Sequence, residues 1–426
     1  PKPSSAASDV YKRQPLISQS QEFDQFFIDK TLRIDYIFSG NSLTQNISVD
    51  QLNQLPQWAG RKHNLSGSCW AGNGNIKVYD VETNKCIYVN TFSSLFQEWL
   101  TTPEAEQVTR SFENVLLVPF PKNKVKIEVT LTGKEHNTQA SISHIIDPKD
   151  ILIHPKGYTS TTPYAIIHKG TNPDKCINIA ILAEGYTKEE MPDFLKYAEE
   201  SVNQIFSYYP FSKYKDSFNV YAVQSESKDS GVSVPRLKEW KQTAFGSHFD
   251  TFYSDRYLTT GHVKDIHDAL AGIPYEHIII LANTNVYGGG GIFNAYTLTT
   301  TGHPDFKPVV VHEFGHSFAG LADEYFYDSD VLDQTYSHSV EPWEPNITTL
   351  KDFAVKWHNQ LPVNTPIPTP TDLKDKYPTG VYEGAGYSSK GIYRSSFDCR
   401  MRTNTYKEFC PVCQNAIEKL ILYYLK

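Results

Sequence analysis

The sequence lacks the features that would place the protein across a membrane or on a nucleic acid. No apolar stretch approaches the roughly 18 residues that cross a bilayer, and long ones such as residues 278–282 have the length of a buried strand. Basic residues are not in excess, since 40 Lys and Arg face 48 Asp and Glu for a net charge of −8. Nucleic-acid binders usually carry a basic patch. We therefore expect no transmembrane segment and no nucleic-acid partner.

Composition and length indicate a globular protein of more than one domain. Hydrophobic residues are 39% and charged residues 21% of the 426 residues, and aromatic residues are abundant at 13%. At roughly 100–200 residues per domain, two or three domains are expected. Residues 1–18 are low in complexity, and we expect them to be a disordered or non-native tail that replaces the true N terminus and any signal peptide.

The first half of the chain has the pattern of antiparallel strands. Apolar and polar residues alternate in residues 32–40, 114–120 and 124–133, and each segment ends near Gly or Pro. This period of two is typical of half-buried strands. We predict an antiparallel β-sandwich over residues 19–160, followed by a turn-rich linker at 154–175.

The second half mixes strands and helices, so the whole chain is predicted to be α+β. Residues 176–186, 218–223 and 277–283 resemble buried strands. Between the first two, Thr187 and Glu190 form a capping box that opens an amphipathic helix. We predict a single catalytic domain over 161–426.

The six cysteines have three possible roles. Cys410 and Cys413 form a CPVC motif that resembles half of a zinc site, but only Cys399 is near enough to add to it. Disulfides from Cys399 to either of the two, and between Cys69 and Cys86, would suit an exported protein and are the favoured interpretation. Unpaired buried thiols are the third.

The stretch HEFGHSFAGLADEY at 312–325 indicates a metal site. On a helix, His312 and His316 are one turn apart and present two nitrogens to one ion, with Glu313 beside them. Zinc hydrolases need two or three such ligands, a position for water and a base. Histidines satisfied within a core are the competing interpretation. A buried-looking strand at Val309–Val311 before the helix favours the site.

A third ligand is expected just after the helix. Gly320 can end the helix in a left-handed conformation and turn the chain back toward the metal, which brings Asp323 within reach. The neighbouring Glu324 is the competitor, because zinc accepts either carboxylate. The residue that does not bind is expected to orient a histidine.

Four consecutive glycines, residues 288–291, precede an alternating segment. Glycine allows another backbone to approach closely, so we expect a peptide substrate to add as a strand beside residues 290–298, with Gly290 and Gly291 in contact. A flexible hairpin turn is the alternative. Because no phosphate-loop lysine follows, a nucleotide site is not expected.

Long stretches of the chain resemble the immunoglobulin-A peptidase family of zinc metallopeptidases. The resemblance covers nearly the whole chain after position 20. The matching motifs are HEFGHSFAGLADEY, YGGGG at 287–291, EPNIT at 344–348, EGAGYSSKGIYR at 383–394 and DCRMRTNTYKEFCPVC at 398–413. DKTLRIDYIFSG at 29–40 is similar to the family's amino-terminal β domain, and LAEGYTKEEM at 182–191 to the start of its catalytic domain.

The resemblance implies a metzincin-like domain with a mixed twisted sheet, an active-site helix and a Met-turn. His312, His316 and an acid would bind one Zn²⁺, Glu313 would be the general base, and Met401 would lie beneath the metal. Core packing is the ordinary alternative for Met401. The metzincin pattern has Gly and His where this chain has Ala319 and Ala322, so Gly and a carboxylate come one residue later.

These observations predict a secreted, cell-surface or periplasmic bacterial zinc endopeptidase that acts on a protein or peptide. A host or mucosal glycoprotein such as immunoglobulin A is a candidate substrate, which the resemblance does not establish. Tyr387 or Tyr393 would stabilise an oxyanion, although packing is the commoner role of tyrosine. A zinc exopeptidase and a non-catalytic adhesion or glycan-binding protein are the alternatives. The oligomeric state is not predicted.

Overall fold

The computed structural model describes residues 23–327 and 335–426. The predicted tail at 1–18 lies outside the described residues.

The first part of the chain folds into two four-stranded sheets. Its elements are α1 (Phe23–Phe26), β1 (Phe27–Gly40), β2 (Gln45–Leu55), β3 (Gly74–Asp80), β4 (Cys86–Phe92), α2 (Leu95–Trp99), β5 (Arg110–Pro121), β6 (Val125–Thr132), β7 (Thr138–Ile146) and β8 (His154–Pro155). The strand orders are β5-β1-β2-β8 and β4-β3-β6-β7. All neighbours are antiparallel except β2 and β8. The two sheets enclose one hydrophobic core, as expected for a sandwich.

The second part is built on a mixed six-stranded sheet. Its elements are β9 (Tyr164–His168), β10 (Ile177–Glu184), α3 (Met191–Ile205), α4 (Phe211–Tyr214), β11 (Phe218–Val223), α5 (Val263–Ala269), β12 (His277–Ala282), β13 (Gly289–Ile292), β14 (Tyr296–Thr300), α6 (Phe306–Ala319), β15 (Ile347–Thr348), β16 (Tyr382–Ala385), β17 (Ser388–Arg394) and α7 (Pro411–Leu425). The order is β13-β14-β12-β10-β11-β9, and β15, β17 and β16 form a small separate sheet. Only the outer strands β13 and β9 are antiparallel to their neighbours. The observed class is α+β, as predicted.

Strand β10 lies at the centre of this sheet and is buried on both faces. Ile179 and Ile181 point into the core shared with α3, α6 and α7, whereas Ala180 and Leu182 point into the core shared with α5. A strand covered on both sides reads as a continuous apolar run. This explains why the sequence shows no alternation there.

Two sequence predictions are wrong in detail. The β-branched run Val309–Val311 is not a strand that precedes the active-site helix but part of α6, which begins at Phe306. All three valines are at most 5% exposed, so burial outweighs the small helix penalty of β-branched residues. The predicted disulfides are also absent, since none of the six cysteines, all within the described residues, is joined to another. Cys399 Sγ and Cys413 Sγ are 3.8 Å apart, much farther than the roughly 2.05 Å of a disulfide bond.

The buried side chain of Arg33 joins the two parts of the chain. In β1, Leu32 and Ile34 point into the sandwich core, and the alternation of the strand turns Arg33 and Asp35 to the opposite face. Both charged side chains are 0% exposed, with Arg33 Nε 2.7 Å from Asp35 Oδ1. Arg33 Nη1 also donates to Asp268 of α5 at 2.5 Å. The arginine therefore holds α5 against the first sheet.

Replacing Arg33 with leucine should destabilise the protein, because the Asp35 carboxylate would stay buried without its partner. We expect the free energy of unfolding to fall by about 3 kcal/mol, as measured by urea denaturation. Lys62→Ala is the control, since the Lys62 and Asp29 side chains are 44% and 56% exposed; its expected effect is below about 1 kcal/mol. Equal losses in the two variants would contradict this assignment.

Candidate metal centre

Helix α6 presents His312 and His316 side by side. Their Nε2 atoms are 3.0 Å apart. On the far side of each ring, Nδ1 of His312 lies 3.0 Å from the carbonyl oxygen of Arg400, and Nδ1 of His316 lies 2.5 Å from that of Leu321. Since a carbonyl only accepts, each Nδ1 carries a proton. In the neutral imidazole, the form that binds a metal, Nε2 of each ring then has the lone pair, and the two Nε2 atoms point to one place.

The helix ends as the sequence predicts. Gly320 has φ 63° and its N–H reaches the His316 carbonyl, and the Leu321 N–H bonds to the Gly315 carbonyl at 3.2 Å. The bond from the Gly320 N–H to the His316 carbonyl is that of an αL C-cap. The reversed chain brings Asp323 Oδ1 to 2.9 Å from His312 Nε2 and 3.2 Å from His316 Nε2.

The next residue, Glu324, points the other way. Its Oε1 lies 3.2 Å from Cys413 Sγ and accepts a hydrogen bond from Asn346 Nδ2 at 3.0 Å. Successive side chains of an extended segment point to opposite sides, so only one of the two carboxylates can face the histidines. The geometry favours Asp323.

The three donor atoms fit a tetrahedral metal ion. Bonds of about 2.1 Å from zinc to nitrogen or oxygen put neighbouring ligand atoms about 3.4 Å apart, close to the separations of 2.9, 3.0 and 3.2 Å. Among the described residues, Asp323 Oδ1 is buried and receives no hydrogen bond. Burial alone would lower the pKa of His316, but the Asp323 carboxylate raises it to about 9. The electrostatics of the site therefore favour a positive charge there.

The centre is open on one side. The side chains of His312 and His316 remain 13% and 14% exposed, whereas Asp323 is 7% exposed. Catalytic zinc sites usually have three protein ligands and a free position, while structural sites are closed. The arrangement is that of a site that a substrate can enter.

Glu313 lies between the histidines and the edge of the sheet. Its carboxylate is within 4.8 Å of the ligand nitrogens of His312 and His316. A Cβ built on Gly289 would lie 3.0 Å from Glu313 Oε1, so the carboxylate touches strand β13. Burial raises the pKa of Glu313 above its ordinary value, against the opposing effect of His312 and His316, which suits a group that must accept a proton.

Met401 lies in the turn beneath the helix and is 0% exposed. A Cβ on Gly315 would meet the Met401 Sδ at 2.8 Å, so the sulfur lies against the backbone of α6. The same turn supplies the Arg400 carbonyl to His312 and the Met401 carbonyl to the Glu324 N–H at 2.8 Å. Met401 therefore packs beneath the histidine helix.

The two candidate tyrosines have different positions. Tyr387 donates its hydroxyl to Asp323 Oδ2 at 2.5 Å, so it holds a candidate ligand. Tyr393 pairs with Glu383 across the small sheet, and its ring packs against the largest core. The structure thus places Tyr387, and not Tyr393, at the metal centre.

The predicted substrate strand is shorter than expected. Residues 296–298 belong to β14, which is paired on both sides, so of these two strands only β13 lies at an edge of the sheet. A Cβ on Gly291 would lie 2.3 Å from the Glu313 carbonyl oxygen, and one on Gly290 would lie 2.7 Å from the Tyr257 ring. The close approach that glycine permits is therefore to the protein's own helix and to Tyr257.

Sequence reasoning missed a residue that the first part of the chain contributes. Glu98 of α2 accepts a hydrogen bond from Tyr257, the residue that covers Gly290. Burial raises the pKa of Glu98 to about 7, and the carboxyl group interacts electrostatically with His316 and Glu313. No local pattern around Glu98 could have indicated this, because its partners are far away in sequence.

Comparison with known proteins decides the family. The family model for IgA peptidase M64 matches residues 165–379 and 372–421, which is more than half of the chain. The model for the N terminus of this family matches residues 22–143. The chain belongs to the IgA peptidase M64 family. The M64 chain is therefore a metallopeptidase, with a metal cofactor and a protein substrate.

Other comparisons add little to this assignment. No curated protein matches the M64 chain. Metalloproteinase-II from Bacteroides fragilis is similar over 58% of this chain and 83% of its own, at 11% identity and a TM-score of 0.20, too weak a likeness to support a conclusion. Within residues 23–327 and 335–426, no helix combines the length and apolar character needed to span a membrane.

Substituting Gly320 with alanine should disturb the centre. The φ of 63° disfavours any side chain, and the new Cβ would lie 2.6 Å from the Trp343 ring. We expect a loss of about 1–2 kcal/mol in the free energy of unfolding, measured by thermal denaturation, together with reduced metal content. Gly261→Ala is the control, because a Cβ there meets nothing within 4 Å. Unchanged stability in both variants would contradict the prediction.

Removing the Tyr387 hydroxyl should weaken metal binding. Tyr387→Phe leaves Asp323 Oδ2 without its donor, and loss of such a partner typically lowers metal affinity 10- to 100-fold. Competition with a chelator of known affinity measures the change. Tyr393→Phe should retain full affinity, and an equal loss in both variants would show that the effect is not specific to Asp323.

Proposed function

We propose that the protein is a zinc endopeptidase in which His312, His316 and Asp323 bind one Zn²⁺ and Glu313 is the general base. The observation that carries the proposal is the convergence of these four side chains beside an edge strand. The three ligand atoms have tetrahedral spacing, and Glu313 lies within reach of both histidines and of β13.

Each residue then has a distinct role in peptide hydrolysis. When bound, zinc supplies a Lewis acid that polarises the scissile carbonyl and acidifies water. Glu313 takes a proton from the attacking water and delivers it to the leaving amine, so its carboxylate must be ionised at the start. The Arg400 and Leu321 carbonyls keep the two histidines in the tautomer that leaves Nε2 unprotonated.

The fold supports a metzincin-like domain. Helix α6, the turn containing Met401 and a mixed sheet ending in the antiparallel strand β13 are the parts that this assignment requires. We place the catalytic domain at 161–426 and the accessory sandwich at 19–160. Near this boundary, β8 pairs with β2 of the sandwich, whereas β9 pairs with β11 of the six-stranded sheet.

Strand β13 supports an extended polypeptide as substrate. Gly289 is bridged to Tyr257, so we place the peptide along the rest of this edge, where a strand binds through main-chain hydrogen bonds largely independently of its sequence. Because such binding does not require a free terminus, we favour cleavage within chains over removal of terminal residues. Peptides with blocked and free ends distinguish the two activities. Export and immunoglobulin A as a substrate stay predictions that rest on the family.

Replacing Glu313 with alanine should stop hydrolysis without removing the metal. We expect casein cleavage to fall at least about 100-fold, since general-base catalysis contributes 10²–10⁴. Metal content by mass spectrometry, measured on the same samples, should remain one zinc at the histidine centre. An active Glu313→Ala enzyme would contradict the role of Glu313.

His316→Ala is the companion variant. It should lose both cleavage and the zinc at this centre. If the wild type binds no zinc at the histidines and cleaves nothing, a non-catalytic adhesion protein becomes the better interpretation.

A further inference from the structure

A second cluster of metal-binding groups lies in the core behind the histidine centre. It consists of Glu324, Cys399, Cys410 and Cys413, whose ligand atoms all lie within 4.8 Å of one another. The four residues are at most 1% exposed. The proposed hydrolysis uses none of them.

The spacing of the cluster matches a tetrahedral zinc site. With bonds of about 2.3 Å to sulfur and 2.1 Å to oxygen, two sulfur ligands lie about 3.8 Å apart, and sulfur and oxygen about 3.6 Å. Cys399 Sγ and Cys413 Sγ are 3.8 Å apart. Glu324 Oε1 is 3.2 Å from Cys413 Sγ and 3.9 Å from Cys410 Sγ.

Backbone donors point at the sulfur atoms. The N–H of Cys410 donates to Cys399 Sγ at 3.1 Å, and the N–H of Cys413 donates to Cys410 Sγ at 3.4 Å. Cys410 is the N-cap of the 15-residue helix α7, where the helix dipole stabilises negative charge. At Cys410 these contacts favour the thiolate, the form of cysteine that binds metal.

The carboxylate of Glu324 is incompletely satisfied. Asn346 donates to Oε1, but within the described part of the chain Oε2 is buried without a hydrogen-bond partner. A buried carboxylate is costly unless it is paired or binds a metal. Three thiols do not offset a carboxylate charge, whereas a divalent cation does.

We infer that Glu324, Cys399, Cys410 and Cys413 bind a second zinc ion with a structural role. The site is closed and has four protein ligands, as structural zinc sites do. Zinc suits the mixed thiolate and carboxylate set, since thiolates favour soft or borderline metals. Cys410 and Cys413 of the CPVC motif supply one pair of ligands. Cys399, from the Met-turn segment, and Glu324, the residue after Asp323, complete the site.

The second zinc would connect the parts that hold the catalytic centre. Glu324 is adjacent to Asp323, and Cys399 precedes Arg400, whose carbonyl accepts from His312. Cys410 caps α7 and Cys413 lies in its first turn, and α7 packs against α6 in the same core. A metal at this position fixes the third ligand and the Met-turn relative to the histidine helix.

Zinc stoichiometry of the full-length protein tests this inference. Protein purified under reducing conditions without chelator should contain two zinc ions per chain by mass spectrometry. His316→Ala should retain one, because it disrupts only the histidine centre. X-ray absorption of that remaining zinc should show three sulfur neighbours at about 2.3 Å.

Cysteine variants give an independent readout. Cys413→Ser should lose one of the two zinc ions or fail to accumulate as folded protein, whereas Cys86→Ser, a partly buried cysteine outside the cluster, should retain both. The X-ray absorption result does not depend on folding of the Cys413 variant. The inference is overturned if His316→Ala holds no zinc, if its zinc has only nitrogen and oxygen neighbours, or if two of the three thiols form a disulfide in the reduced preparation.

The inference does not rest on the proposed peptidase activity. A wild type with a single zinc bound to sulfur would support the cysteine site and contradict the histidine site. A single zinc with only nitrogen and oxygen neighbours would do the reverse.

Discussion

Two histidine nitrogens and a carboxylate oxygen converge at the end of helix α6. The Nε2 atoms of His312 and His316 and the Oδ1 of Asp323 lie 2.9–3.2 Å apart, and the carbonyls behind the rings fix which nitrogen carries hydrogen. Without a cation this arrangement is repulsive, so the surrounding structure has to hold it in place. The C-cap at Gly320, the Met401 turn and the Tyr387 hydroxyl all act on this one point.

The local parts of the centre could be predicted from the sequence, because they depend on neighbouring residues. Helical spacing places His312 and His316 on one face, and a left-handed glycine after the helix is a common terminator. The choice between Asp323 and Glu324 could not be made in this way. It depends on the cysteines near the C terminus, which occupy the space behind the segment and receive Glu324.

Elsewhere the sequence signal was ambiguous or missing. Three consecutive valines suit a buried strand and a fully buried helix equally well, so periodicity could not identify Val309–Val311 as helical. The glycines at 288–291 indicated that another group approaches the backbone closely, but not that this group is helix α6 and Tyr257 of the same chain. The sequence around Glu98 carries no signal of a role at the site, because only the packing of the sandwich against the six-stranded sheet brings Glu98 near Glu313. The sandwich itself was predictable, since its strands alternate clearly.

The adjacent carboxylates Asp323 and Glu324 face opposite sides because the chain between them is extended. This segment is held in register by backbone hydrogen bonds from Gly386 N–H to the Asp323 carbonyl and from Tyr387 N–H to the Tyr325 carbonyl. Inserting or deleting one residue between Gly320 and Asp323 would exchange the two sides and direct the wrong carboxylate to each cluster. The length of this short connection is therefore more constrained than its composition, and natural variation here should be by substitution rather than by change in length.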